Sequence, residues 1–130
     1  MNIKIEFFNE NFIQAIGAGI YEIIVCKNNK CEVLYIGESV FVLVRCATHL
    51  YKLKKNPAYF GFTKDTINDS DIKLIFNLIE NDDSKKARIK KEIELIKEIK
   101  PLTQSGIRDY HKDIEERIIA LTNFIDDSNY

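Results

Sequence analysis

The sequence predicts a single α+β domain with elements in the order β-β-α-β-α-α. Three observations carry that prediction. A chain of 130 residues with 45% hydrophobic and 30% charged residues has enough apolar material for one continuous core and lacks the polar bias of disordered chains. The stretch GIYEIIVCKNNKCEVLYIG at 19–37 sets two runs rich in Ile, Val, Leu and Tyr around the polar turn KNNK, which is a β-hairpin pattern. Beyond it, apolar residues recur at helical spacing up to a stop at Pro101, so helices follow the hairpin.

Residues 1–18 form an N-terminal extension that is strand-like in composition but assigns itself no role. In the hairpin, alternation puts Tyr21, Ile23 and Val25 on one face of the first strand, and Val33, Tyr35 and Gly37 on one face of the second. Both tyrosines then look the same way if the register permits. Ser39 is the expected N-cap of a helix through VFVLVRCATHLYKL, where Leu43, Cys46, Leu50 and Leu53 share a stripe. Pro57 and Gly61 open a loop that TKDTINDSD continues. DIKLIFNLIE reads as a third strand. A helix over 84–100 starts from Asp83 or Ser84, and a last helix runs from about Asp109 to Ile125, with Ile114, Ile118, Leu121 and Ile125 in step.

Several function classes drop out early. The opening MNIKIEFFNENF interleaves Lys4, Glu6 and Glu10 with apolar residues, unlike a secretion signal. No run reaches membrane-spanning length, so the expectation is an intracellular, cytoplasmic protein without a membrane partner. In a reducing compartment the three cysteines are expected as thiols, although Cys26 and Cys31 flank the KNNK turn and could face each other. A zinc site is not expected, because there is no CxxC and the histidines are His49 and His111 alone. A net charge of −1 argues against binding nucleic acid by bulk electrostatics. Basic residues are nevertheless segregated: Lys52, Lys54 and Lys55 form one cluster, and Lys85, Lys86, Arg88, Lys90 and Lys91 another.

Glu92 is out of place. With about 100° of turn per residue, Ile99 and Ile96 lie roughly 20° and 40° from it on opposite sides of the helix. Ile89, Ile93 and Leu95 complete the same apolar arc. A carboxylate buried there costs several kcal/mol in rough terms unless it has a partner or a cation, and either explanation fits the periodicity. Arg45 is the sole charge between Val40 and Ala47, and His49 stands four residues after it on the same helix face. Taken singly, the arginine reads as a snorkelling side chain and the histidine as a rim residue.

Together these residues resemble the GIY-YIG nuclease family. Gly19-Ile20-Tyr21 and Tyr35-Ile36-Gly37 match its two signatures, Arg45 stands eight positions after Gly37, His49 four after Arg45, and Glu92 nine before Pro101. The likeness covers 19–104, with 105–130 expected as a C-terminal helix packed on the same domain. It implies a small, three-stranded antiparallel sheet flanked by helices, and divalent-metal-dependent hydrolysis of phosphodiesters, usually in DNA. Three departures stand out. The interval between the tyrosines is longer than usual, Gln104 occupies the place where the family often has asparagine, and Glu38 follows the second signature, where a carboxylate could repel a phosphate.

The resemblance suggests a division of labour. Glu92 is expected to hold Mg²⁺ or Mn²⁺, since such an ion keeps several waters and uses substrate oxygens as further ligands. Arg45 is expected on the scissile phosphate and Tyr21 as the base toward water, with Tyr35 the competing base and His49 receiving or orienting the proton. An unperturbed tyrosine, with a pKa of about 10, is a poor base. The metal, the arginine and the histidine are expected to favour the phenolate. Gly37, Lys52, Lys55, Lys90 and Gln104 are the expected nucleic-acid contacts; Gly19 and Gly37 would let backbone approach the substrate, and Tyr51, Tyr59 and Phe60 are available nearby, with core packing their plainer fate. The partner is DNA, with RNA left open, and the protein a monomer or homodimer. The alternative is a catalytically weak or inactive nucleic-acid-binding module on the same fold.

Overall fold

Lys27-Asn28-Asn29-Lys30 closes the hairpin that organises the fold. Asn28 and Asn29 take φ of 52° and 67°, the left-handed pair that a two-residue turn needs and that asparagine tolerates. The computed structural model describes residues 1–105 and 111–128. The hairpin strands are Gly19–Lys27 and Lys30–Ser39. With Lys4–Phe7 before them and Lys73–Asn81 after, they are β2, β3, β1 and β4 in chain order. The sheet order is β1-β4-β2-β3. β4 lies antiparallel to β2, and β1 lies parallel to β4.

This corrects the expected three-stranded antiparallel sheet, although the α+β class stands. The N-terminal extension supplies a fourth strand: Ile3 and Phe8 are buried, and Ile5 and Phe7 pack against the main core. The resulting sheet is mixed. Its other edge, β3, is covered by the segment after Pro101, where the Leu102 and Thr103 amides donate to Val33 and Leu34 carbonyls at 3.0 and 3.1 Å. That pairing occupies backbone groups an open edge would expose.

The helices are Val42–Lys55 (α1), Lys85–Ile99 (α2) and Ile114–Asp127 (α3). Ser84 caps α2, its hydroxyl accepting from the Ala87 amide at 3.2 Å, as expected. Ser39 does not cap α1. Its hydroxyl accepts from the Phe41 amide at 3.1 Å, and the helix begins three residues later at Val42. The expected start of the last helix at Asp109 lies outside the described residues; within them α3 begins at Ile114. Pro57–Phe60 and Thr66–Asn68, read from sequence as loop, form short 3-10 turns.

Two packed layers result. Tyr21, Ile23, Val25, Leu34 and Tyr35 face a core completed by Val42, Cys46 and Leu53 of α1 and Leu121 and Ile125 of α3. On the opposite sheet face, Ile20 and Ile36 meet Ile96 of α2. Ile23 pairs with Tyr35 and Ile24 with Val33, which leaves Leu34 as an inserted residue. Such a bulge breaks the period of two. Leu34 and Tyr35 therefore share the main core while Val33 turns to the other face, contrary to the simple alternation expected for Val33.

Cys26 and Cys31 are direct cross-strand partners and are joined by a disulfide. This corrects the expectation of thiols for that pair, because the hairpin register brings the two side chains together without backbone movement. Cys46 is a buried free thiol. Among the described residues no helix is long and apolar enough to cross a membrane.

Candidate active site

The two sequence signatures meet because Tyr21 pairs with Gly37 and Ile23 with Tyr35 across the β2–β3 ladder. The tyrosines are then diagonal neighbours on one face, their rings stacked with centroids 6.1 Å apart. A Cβ at Gly37 would fall on the Tyr21 hydroxyl and the ring carbon that bears it. Gly37 is thus needed to house Tyr21. Gly19 is filled likewise, by the Glu80 carbonyl and the Leu78 side chain.

α1 lies over the tyrosines and supplies the next two groups. His49 is on its buried face with Val42, Cys46 and Leu53. Its Nε2 is 2.8 Å from the Tyr21 hydroxyl and its Nδ1 is 3.0 Å from the Tyr59 hydroxyl. Tyr35 stands edge-on to the imidazole at 4.8 Å, and Phe60 lies 5.7 Å away, so the ring is held by packing as well as by hydrogen bonds. Arg45, one turn earlier, interacts electrostatically with the hydroxyls of both Tyr21 and Tyr35.

α2 approaches from the other side of the β3 edge. Arg88, Glu92 and Ile96 form its buried face, so Glu92 is buried as its place in the apolar arc predicted. A cavity of about 330 Å³ lies where α1, α2 and the end of β3 meet, lined by Tyr35, Glu38, Ser39, Val40, Arg45, Lys85, Arg88 and Glu92. Three of the five expected catalytic residues reach its wall. The other two, Tyr21 and His49, do not line it; both pack against the Tyr35 ring.

Burial dominates the electrostatics of this wall. It pushes the Tyr35 hydroxyl up to about 12, with Tyr59 and Glu92 adding to the rise and Arg45 opposing it. Tyr21 is raised well above its ordinary value, again by burial first, against the pull of Arg45. Arg45 favours the phenolate as expected, but the lost hydration outweighs it. His49 is lowered to about 3 by burial, with Arg45, His111 and Lys52 adding to the fall. It is therefore neutral near pH 7, with one ring nitrogen a donor and the other an acceptor.

Other expected contacts fall elsewhere. The Gln104 amide is buried: its Nε2 donates to the Ile36 carbonyl at 2.7 Å and its Oε1 accepts from the Ile36 amide at 2.9 Å. Through these two bonds Gln104 holds β3 in place. Lys52 and Lys55 are exposed on α1 and lie over the Tyr59 and Tyr51 rings at 5.4 and 5.0 Å. Lys90 is exposed on α2 and does not line the cavity.

The sequence reading missed how Arg88 is used. Arg88 Nε donates to Glu38 at 2.9 Å, and Nη1 donates to the Asp82 carbonyl at 3.1 Å. Glu38, expected to repel phosphate, is therefore matched by a cation. The spacing of four between Arg88 and Glu92 was the available signal, since such pairs share a helix face. Tyr59 was grouped only with aromatics available for stacking, and its link to His49 depends on a loop conformation that local pattern does not reveal.

No protein-family model, curated protein or solved structure matches the chain. Function therefore rests on the residues themselves. Among the described residues no group of three or more His, Cys, Asp or Glu side chains could hold a metal ion. A cation that requires a cage of protein ligands does not fit; a hydrated Mg²⁺ or Mn²⁺ on one carboxylate does, because the cavity is polar and Glu92 lines it.

Proposed function

We propose that this protein is a divalent-metal-dependent endonuclease that hydrolyses phosphodiester bonds in DNA. The observation that carries the reading is the arrangement of five residues from two strands and two helices: Tyr35, Arg45 and Glu92 line one cavity, and Tyr21 and His49 are packed directly against Tyr35. Hydrolysis of a phosphodiester needs an activated water, positive charge at the phosphoryl oxygens and help for the departing oxygen. The five residues provide a coherent set for that work.

In this reading Glu92 holds Mg²⁺ or Mn²⁺, which supplies Lewis-acid stabilisation of developing charge. Arg45 binds the scissile phosphate, and Arg88 and Lys85 add positive charge on the opposite wall. Tyr35, which lines the cavity, orients the water. Tyr21 takes the proton, because Tyr21 is the tyrosine with an imidazole behind it. His49 accepts from Tyr21 and keeps its hydroxyl aimed.

A second reading, a binding module on the same fold with weak or no turnover, is favoured by one observation: Tyr21 is fully buried and both tyrosine hydroxyls are raised. A cleavage assay on supercoiled, linear and branched DNA with Mg²⁺ or Mn²⁺ separates the two. Metal-dependent nicking that Glu92→Ala abolishes is the expected result. DNA binding without cleavage at any metal concentration would establish the binding module instead, and cleavage that survives Glu92→Ala would remove Glu92 as the ligand.

A further inference from the structure

Tyr21 and Tyr59 lie at opposite ends of one hydrogen-bonded chain. His49 Nε2 is 2.8 Å from the Tyr21 hydroxyl and Nδ1 is 3.0 Å from the Tyr59 hydroxyl. In a neutral ring one nitrogen donates and the other accepts, so the two bonds run in one sense through the imidazole. The charge of Arg45 favours loss of the Tyr21 proton. That selects the outward sense, in which Tyr21 O–H donates to Nε2 and Nδ1–H donates to the Tyr59 oxygen.

Tyr59 differs from the inner members in its surroundings. Tyr21 and His49 are buried, whereas Tyr59 is half-buried on the Pro57–Phe60 turn. The turn itself is anchored, with the Asn56 side chain accepting from the Ala58 amide and Arg117 donating to the Tyr59 carbonyl at 3.1 Å. The chain therefore leads from the buried Tyr21 hydroxyl to Tyr59, its least buried member.

We propose that Tyr59 is a positioning residue for the hydrolytic reaction, the outer member of a Tyr21–His49–Tyr59 chain through which the Tyr21 proton leaves the site. The proposal rests on the nuclease reading for its catalytic meaning. The transfer balances. Tyr21 gives its proton to Nε2, Nδ1 gives its own to the Tyr59 oxygen, and Tyr59 releases one proton to water. His49 ends as the other neutral tautomer and Tyr21 as a phenolate beside Arg45, ready to take a proton from the attacking water. A neutral relay suits this histidine, because the imidazole need not hold the charge that its buried position disfavours.

The test is nitrogen NMR of the full chain labelled at histidine, with His111→Gln used to assign the His49 signals, alongside steady-state cleavage of DNA. The expected wild-type state is neutral His49 protonated at Nδ1. Tyr59→Phe removes the acceptor; it should shift His49 toward the Nε2–H tautomer and lower kcat about tenfold with KM unchanged, less than the roughly 10²–10⁴-fold worth of a direct acid or base because Tyr59 acts through His49. Arg45→Met should yield a mixture of tautomers, a readout that stands even if Tyr59→Phe folds poorly. A wild-type His49 protonated at Nε2 overturns the proposal, as does a Tyr59→Phe variant with unchanged tautomer and kcat. Expected tautomers in a wild-type chain that cleaves no DNA would overturn the nuclease reading and, with it, the catalytic part assigned to Tyr59.

Discussion

The Tyr21 hydroxyl occupies the space that a side chain at Gly37 would need. The two residues are cross-strand partners, so the second signature's glycine is a packing requirement of the first signature's tyrosine. This ties the hydrogen bond between Tyr21 and His49 to the absence of a Cβ on the neighbouring strand.

Gly37→Ala should therefore act on both fold and site. Inserting a methyl into a filled core position costs roughly 1–3 kcal/mol. The Tyr21 ring would have to leave its bond with His49 to make room. Urea denaturation should show that loss, and the His49 nitrogen signals should move. Unchanged stability together with unchanged His49 signals would mean that the ladder shifts instead and that Gly37 is not a determinant of Tyr21.

The Glu38–Arg88 pair makes a separate prediction. Arg88 is almost fully buried and Glu38 largely so, with side-chain exposures of 5% and 20%. Glu38→Gln leaves a buried cation without its carboxylate, a change that costs about 3 kcal/mol in comparable pairs. Removing both charges with Glu38→Gln and Arg88→Met should recover most of that loss. Thermal denaturation of the two single variants and the double variant gives the coupling directly. If the double variant is no more stable than Glu38→Gln alone, the pair is not what holds that wall.

The exposed lysines are tested by salt. If Lys52 and Lys55 of α1 meet a phosphate backbone, replacing both with Gln should weaken DNA binding and reduce the slope of log affinity against log salt by about two. Lys90, outside the cavity lining, serves as the contrast. Its replacement should change the slope by no more than one. A salt slope that both variants share with the wild type would assign binding to the cavity residues alone.

Periodicity and spacing made much of this arrangement legible before any coordinates. The hairpin, α2 with its Ser84 cap, and the anomalous Glu92 all follow from local pattern, because each is decided within about three turns of chain. What escaped is non-local. A strand of four residues such as β1 is defined by the partner it finds at β4, and nothing in Lys4–Phe7 names that partner. The bulge at Leu34 is a property of the ladder rather than of either strand. Gln104 was read as a ligand contact because its reach back to Ile36 depends on how the chain turns after Pro101. Arg88 reads as one member of a basic cluster, although its spacing of four from Glu92 places it on the same buried face.

His49 gives the last prediction, on acid stability. Its value is lowered to about 3 in the folded protein, whereas the unfolded chain holds a histidine near 6.5. Below about pH 6.5 the unfolded state binds a proton that the folded state refuses, so stability is full above that value and falls as the pH drops toward 3. One proton is worth about 1.4 kcal/mol per pH unit, which makes the loss at pH 5 about 2 kcal/mol. The groups facing the ring act in the same sense: Arg45, Lys52 and His111 all disfavour a second positive charge there. Asp69, lowered by its bond to Lys27, also loses stability in acid, but in a window below the carboxylate range and so separate from that of His49. Denaturation midpoints between pH 5 and 7 in a His111→Gln background should slope upward with pH, and His49→Gln should flatten that slope. An equal slope in both proteins would show that His49 takes up its proton in the folded state, which would remove the neutral imidazole from the site.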